Sequence, residues 1–291
     1  MTPPPAPEWP GVLAQWHLEP VALAVVGVVA IAYAHGYRSA STTGSDRRAL
    51  LFASGLGIVV VALMSPVGTY ADVLLSVHMV QHLLLVLVAA PLLVAARPLP
   101  TLLASLPDPT AAEILGLGET RLGRLAGHPL VAWVLFAAMG WAVHFSPLFD
   151  LALKSPPVHA GEHALFLGAG LLFWRPVLGE RPLSYPLRLL YLALAMPQNT
   201  FLALAISSAG EPLYETYGRL GRTWGPTLLA DQRQAGGLMW VAGDLALLVA
   251  VLAVAGAWGG QQARQNEEDE EDEPGISRRP AGPPPSPRTA G

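Results

Sequence analysis

Residues 73–96 read VLLSVHMVQHLLLVLVAAPLLVAA, a stretch without a single Asp, Glu, Lys or Arg. A helix rises about 1.5 Å per residue and a bilayer core is about 30 Å thick, so this stretch is long enough to cross a membrane as one helix. Working outward, residues 20–37, 49–71 and 125–149 are free of the same four residue types. Residues 158–174 are interrupted by Glu162, 189–210 are charge-free, and 234–258 contain Asp244. The pattern predicts an all-α, polytopic membrane bundle of seven transmembrane helices. Composition agrees: 52% of the 291 residues are apolar and 13% are charged, roughly half the charged share of a soluble domain.

The chain divides into an outer N-terminal segment (1–17), a seven-helix transmembrane domain (18–258) and a tail (259–291). The N-terminus has no positive region ahead of a short apolar core and does not read as a cleavable signal peptide. Residues 101–124 are expected to lie along the cytoplasmic interface. Arginines 38, 47, 48, 97, 121, 124, 175, 181, 188, 264, 278, 279 and 288 fall on one side of this arrangement; Lys154, Arg219, Arg222 and Arg233 fall on the other. Basic residues accumulate on the cytoplasmic side, which places the N-terminus outside and the C-terminus inside. The tail carries the acidic run Glu267–Glu273, then Pro, Gly, Ser and Arg. Such a composition buries too little apolar surface to offset chain entropy, so a disordered tail is expected. The net charge of −4 belongs mostly to that tail, and no nucleic-acid partner is expected. Proline 197 and the amides Gln198 and Asn199 predict a kink in the sixth span.

The chain contains no cysteine, which excludes disulfides, thiolate metal sites and catalytic thiols. It contains eight histidines, and the predicted orientation sorts them. His35 and His128 fall at cytoplasmic helix ends. His17, His78, His82, His144, His159 and His163 fall on the outer side. His78 and His82, and likewise His159 and His163, are four residues apart, a spacing that puts two imidazoles on one helix face and can present both to one metal ion. Ionisable side chains inside membrane helices are costly and mark functional positions, so His78, His82, His144, His159 and His163 together form the candidate metal site. Methionines 79 and 239 are further candidate ligands, with Met64 beside them, although methionine also fills core gaps. Asp231, Gln232 and Gln234 stand at similar depth, while Asp244 is expected to pair with Gln198 or Asn199. Imidazole with thioether suits Cu(I); imidazole with carboxylate suits Zn(II) or Cu(II). On the residues alone, Cu(I), Cu(II) and Zn(II) all stay open.

The run His78-Met79-Val80-Gln81-His82-Leu83-Leu84-Leu85, continued by Ala90-Pro91-Leu92-Leu93 and Arg97-Pro98, resembles the third-helix signature of the bacterial CtaG family, associated with assembly of caa3-type cytochrome c oxidase. His128-Pro129, Trp141 with His144, His159 with Glu162 and His163, Phe173-Trp174, Pro212-Leu213-Tyr214, Asp231-Gln232 and Gly236-Gly237-Leu238-Met239-Trp240 follow in order. The similarity covers about residues 20–255. It implies a multi-pass protein of the bacterial plasma membrane, acting with cytochrome c oxidase subunits in assembly of a copper-containing terminal oxidase; a copper donor protein would be a further partner, and with histidine and methionine as donors the expected ion becomes copper as Cu(I), with zinc as the alternative.

Other readings stay open at this point. His159-Ala160-Gly161-Glu162-His163 matches the H-x-x-E-H pattern of zinc hydrolases, in which the glutamate is the general base. A metal-free assembly scaffold would use the histidines only as hydrogen bonds between helices, and facing histidines could also ligate haem iron.

Overall fold

The computed structural model describes residues 3–39 and 46–272, and these contain helices and connecting segments without a strand. After a 3-10 turn at Gly11–Ala14, helix α1 spans Pro20–Ser39 and α2 spans Asp46–Met64. Ser65 then caps α3 (Pro66–Ala71) by accepting a hydrogen bond from Val67 N–H at 3.1 Å. The serine cap and Pro66 at the first helical position break the second expected span before its end. The third span, Leu75–Ala96, consists of α4 (Leu75–Leu83), a π-helical stretch at Leu84–Ala89 and α5 (Ala90–Ala96). It stops at Arg97, which adopts left-handed backbone angles (φ 49°) ahead of Pro98, a common helix terminator.

Three short helices follow, α6 (Leu99–Leu103), α7 (Asp108–Glu119) and α8 (Arg121–Ala126). Then come α9 (Pro129–His144), α10 (Leu148–Lys154), α11 (Pro156–Leu178), α12 (Tyr185–Ser207), α13 (Glu215–Arg219) and α14 (Leu228–Asp272). All seven expected stretches are helical, but five helices are long and apolar enough to cross a membrane, or six if α9 and α10 are one span bent by 66°. Alone, α9 has 16 residues, about 24 Å of rise. Helix α11 has 23 residues, but His159, Glu162, His163 and Arg175 dilute its apolar character.

Helix α12 continues unbroken through Pro197. Helix α14 also runs on, to Asp272, so the expected disorder from residue 259 is corrected as far as that residue; positions 273–291 lie outside the described residues. Good helix formers such as Gln261, Gln262, Ala263 and Arg264 extend the helix, because each residue added to an existing helix gains a hydrogen bond without a new nucleation step.

Helices α12 and α14 pack closely through small residues. A Cβ on Gly236 would stand 2.7 Å from the carbonyl oxygen of Ala203 and 3.0 Å from the Ser207 nitrogen. Backbone atoms cannot swing aside as a side chain tip can, so this close approach depends on glycine. Gly236→Val should therefore lower stability by about 1–3 kcal/mol. Gly237→Ala, where an added Cβ meets nothing within 4 Å, should leave the thermal unfolding midpoint of the detergent-purified protein undiminished.

Candidate metal centre

The N-terminal ends of α4 and α11 meet the C-terminal end of α9, and five imidazoles gather there. His78 Nε2 lies 3.0 Å from His82 Nε2. Ring centroids are 5.3 Å apart for His78 and His159, 4.2 Å for His159 and His163, 6.1 Å for His82 and His163, and 6.4 Å for His82 and His144. These five imidazoles come from three helices, α4, α9 and α11. His78, His82 and Glu162 each offer a ligand atom within 4.8 Å of the others, all three side chains being buried. Glu162 Oε2 is 3.7 Å from His78 Nε2.

The surrounding bonds fix which nitrogens carry protons. Tyr217 O–H donates to the Ala71 carbonyl at 3.0 Å, which leaves its oxygen to accept from His78 Nδ1 at 3.2 Å. His78 Nε2 therefore holds a lone pair. Next, His82 Nε2 donates to that lone pair and leaves Nδ1 unprotonated. His144 Nδ1 lies 2.7 Å from the Gly140 carbonyl; a carbonyl only accepts, so His144 Nε2 is unprotonated too. Burial, reinforced by the charges of Asp72, Asp231 and Glu162, holds the Tyr217 phenol pKa well above its ordinary value. Tyr217 thus remains a hydroxyl donor and keeps the His78 tautomer fixed.

His82 Nδ1, the Nε2 atoms of His144, His159 and His163, and both Glu162 oxygens are buried with no hydrogen-bond partner among the described residues. An unsatisfied buried polar atom costs about 1–3 kcal/mol, and more when charged. Unpartnered buried atoms beside the compact His78–His82–Glu162 group fit a cation held there. Aromatic rings hold the imidazoles in place. Phe166 stacks on His82 at 3.8 Å, and Phe149 lies 4.9 Å from His78 and 5.7 Å from His144, centroid to centroid. At the rim, His159 Nδ1 pairs with Asp72 at 3.8 Å; the Asp72 side chain is 51% exposed and that of His159 17%, so the cluster reaches the surface there.

The other sequence candidates divide clearly. Met79 and Met239 lie in the buried apolar core beside the histidines, whereas Met64 packs with Leu85 and Ala89 in a separate cluster. Asp231 serves the fold: its carboxylate accepts from Leu75 N–H (2.8 Å), Ser76 N–H (3.2 Å) and Ser76 O–H (2.5 Å) at the start of α4. Gln232 accepts from Leu213 N–H and donates to the Ile206 carbonyl. Asp244 accepts from Asn199 and Thr200 at 2.9 and 2.6 Å, so the expected pairing with Asn199 is present. His17 bonds Thr69 at 3.0 Å, apart from the cluster.

Sequence reasoning does not place Glu162, Tyr217, Phe149 and Phe166 with the histidines of the candidate site. Glu162 had a signal in the sequence, since it lies three residues after His159 and so shares a helix face with it. Tyr217 had none: its position depends on Asp150, which accepts from the Thr216 amide and hydroxyl at 3.2 and 2.6 Å and so anchors α13 beside the site.

A bundle of span-length apolar helices with a buried histidine and carboxylate cluster at one end defines a helical membrane-type protein with a candidate metal centre. The chain belongs to the cytochrome c oxidase caa3 assembly factor family (Caa3_CtaG), whose sequence model matches residues 31–260. It is 30% identical over 265 residues to uncharacterized proteins of Mycobacterium bovis and Mycobacterium tuberculosis, and 27% identical over 261 residues to one of Mycobacterium leprae. These alignments cover 84–86% of this chain and 40% of each relative; the chain thus spans about two fifths of the length of the curated relatives it matches. No solved structure matches it.

The Asp231 geometry generates a stability prediction. Asp231→Ala strips the first turn of α4 of three buried hydrogen bonds and should cost about 1–3 kcal/mol. Thermal unfolding of the purified variant checks this; a midpoint equal to wild type would refute the capping role.

Proposed function

We propose that this protein serves assembly of a copper-containing cytochrome c oxidase by holding a copper ion at the histidine cluster and passing it to an oxidase subunit. The observation that carries the reading is the convergence of His78, His82, His144, His159, His163 and Glu162 from three helices, where each of these side chains except His78 keeps a buried ring nitrogen or carboxylate oxygen without a hydrogen bond among the described residues. Imidazole accepts Cu(I) as well as Cu(II), and the chain needs no oxidisable thiol to do so. The two histidine pairs let ligands exchange one at a time, His159 and His163 nearer the Asp72 rim and His78 and His82 deeper, which lowers the barrier to loading and release. In this reading the chain crosses the bacterial plasma membrane seven times with the cluster on the outer side. The bias of arginine to the opposite side supports that orientation, and a copper donor protein would load the site from the Asp72 rim.

Copper content of the detergent-purified protein tests the proposal. Wild type should retain copper and His78→Ala/His82→Ala should lose it; equal copper in both would remove these residues from the site. Tyr217→Phe, which keeps the ring but frees His78 to take the wrong tautomer, should weaken copper binding by about 10–100-fold while the protein stays folded. Glu162→Gln separates a carrier from a hydrolase: loss of a hydrolytic activity with metal retained would favour the general-base role, whereas weakened metal retention favours the ligand role. The cysteine-free background makes orientation simple to read. Lys154→Cys should react with an impermeant thiol reagent in intact cells and Arg124→Cys only after permeabilisation; the reverse pattern would overturn the outward placement.

A further inference from the structure

A small cavity of about 70 Å3 lies against His82, with Met79, Met139, Met239 and His144 also in its wall. Room of this size holds an ion or ordered solvent. Three of the chain's six methionines come to this one space, from α4, α9 and α14, and no Asp or Glu lines it. Met139 carried no signal in the sequence, since it sits in a helix whose apolar residues are otherwise indistinguishable as ligands or packing.

Two imidazole nitrogens belong to the wall residues and lack hydrogen bonds. His144 has its Nδ1 committed to the Gly140 carbonyl, and its Nε2 is the buried, unpartnered atom. His82 has its Nε2 engaged by His78, and its Nδ1 is the atom left over. Lone pairs with no proton to satisfy them, thioethers from three helices and no carboxylate make a donor set suited to a soft, monovalent ion and poor for Zn(II) or Mg(II).

We propose that this cavity is a second metal position, selective for Cu(I), with His82 and His144 as imidazole ligands and Met79, Met139 and Met239 supplying thioether. It deepens the copper-handling reading and rests on it. His82 belongs to both positions, because its other nitrogen faces His78 in the group that includes Glu162. An ion moving from the carboxylate-containing position to the thioether-lined one exchanges Glu162 and His78 for His144 and methionine at constant oxidation state, while the single ring proton of His82 passes from Nδ1 to Nε2, where the lone pair released by His78 accepts it; no electron donor is required. The carboxylate-containing position receives copper from the His159–His163 pair at the rim, and the thioether position retains Cu(I) in preference to divalent ions.

The test uses the full chain in detergent, titrated anaerobically with Cu(I) and separately with Cu(II), with X-ray absorption at the copper edge. Wild type loaded with Cu(I) should show sulfur scatterers alongside nitrogen. Met79→Leu/Met239→Leu, a swap that roughly conserves volume, should remove most of the sulfur signal and weaken Cu(I) binding by about tenfold or more, with Cu(II) binding unchanged. Met139→Leu alone provides a milder variant should the double change unfold the protein, and should reduce the sulfur signal. Copper bound only through nitrogen and oxygen in wild type would overturn the second position while leaving the first intact. A wild type that binds no copper in either oxidation state would overturn the copper-handling reading as well. Sulfur-ligated Cu(I) retained in His78→Ala/Glu162→Gln would support the cavity independently of the carboxylate-containing position.

Discussion

Polar side chains buried among long apolar helices must find partners inside the protein, and this constraint organises one end of the bundle. Two populations of buried polar groups meet there. Asp231, Gln232 and Asp150 are fully engaged, each taking up backbone or hydroxyl donors that the helix ends leave open. The histidines and Glu162 are engaged only in part and keep lone pairs that no protein donor reaches. The first population builds the platform, and the second is what the platform presents. Helix α14 grips the first turn of α4 through Asp231, and α13 supplies Tyr217, so the height and the tautomer of His78 are set by elements far away in sequence.

A second device lies just beyond the site. The backbone between Leu84 and Ala89 is π-helical, which leaves carbonyl groups outside the regular ladder, and Trp174 N–H donates to the Val86 carbonyl at 2.8 Å. Helix α11 is thereby fastened to the third span about three turns beyond His163. Gly170 sits at the same contact, where a Cβ would come within 3.0 Å of Ala90 Cβ. Short π-helical segments are frequent at functional sites; here the Trp174 bond ties α11, which carries His159, Glu162 and His163, to the span that carries His78 and His82.

Membership in an oxidase-assembly family gives this geometry its context. A carrier of copper must bind firmly enough to hold its ion and loosely enough to surrender it. Several imidazoles within exchange distance meet both requirements better than one closed four-ligand cage, whose ligands must all let go together. The rim at Asp72 and His159 gives the cluster contact with solvent, which the proposed loading and release of copper require.

The apolar runs and the i, i+4 histidine pairs were legible because each depends on local chain chemistry: hydropathy per residue and the 3.6-residue helical repeat. Those features determined an all-helical chain, its helix positions and five of the residues that cluster. What periodicity could not supply was how many stretches are long and apolar enough to be spans, since α9 is short and α11 carries polar groups. Nor could it tell that Asp231 caps a helix while Glu162 joins the histidines, or that Tyr217 orients His78 and Met139 shares a cavity with Met79 and Met239. Those assignments rest on contacts between residues dozens to more than a hundred positions apart. Only the packed tertiary structure decides them, because whether a buried polar atom is satisfied depends on which neighbours the other helices bring to it.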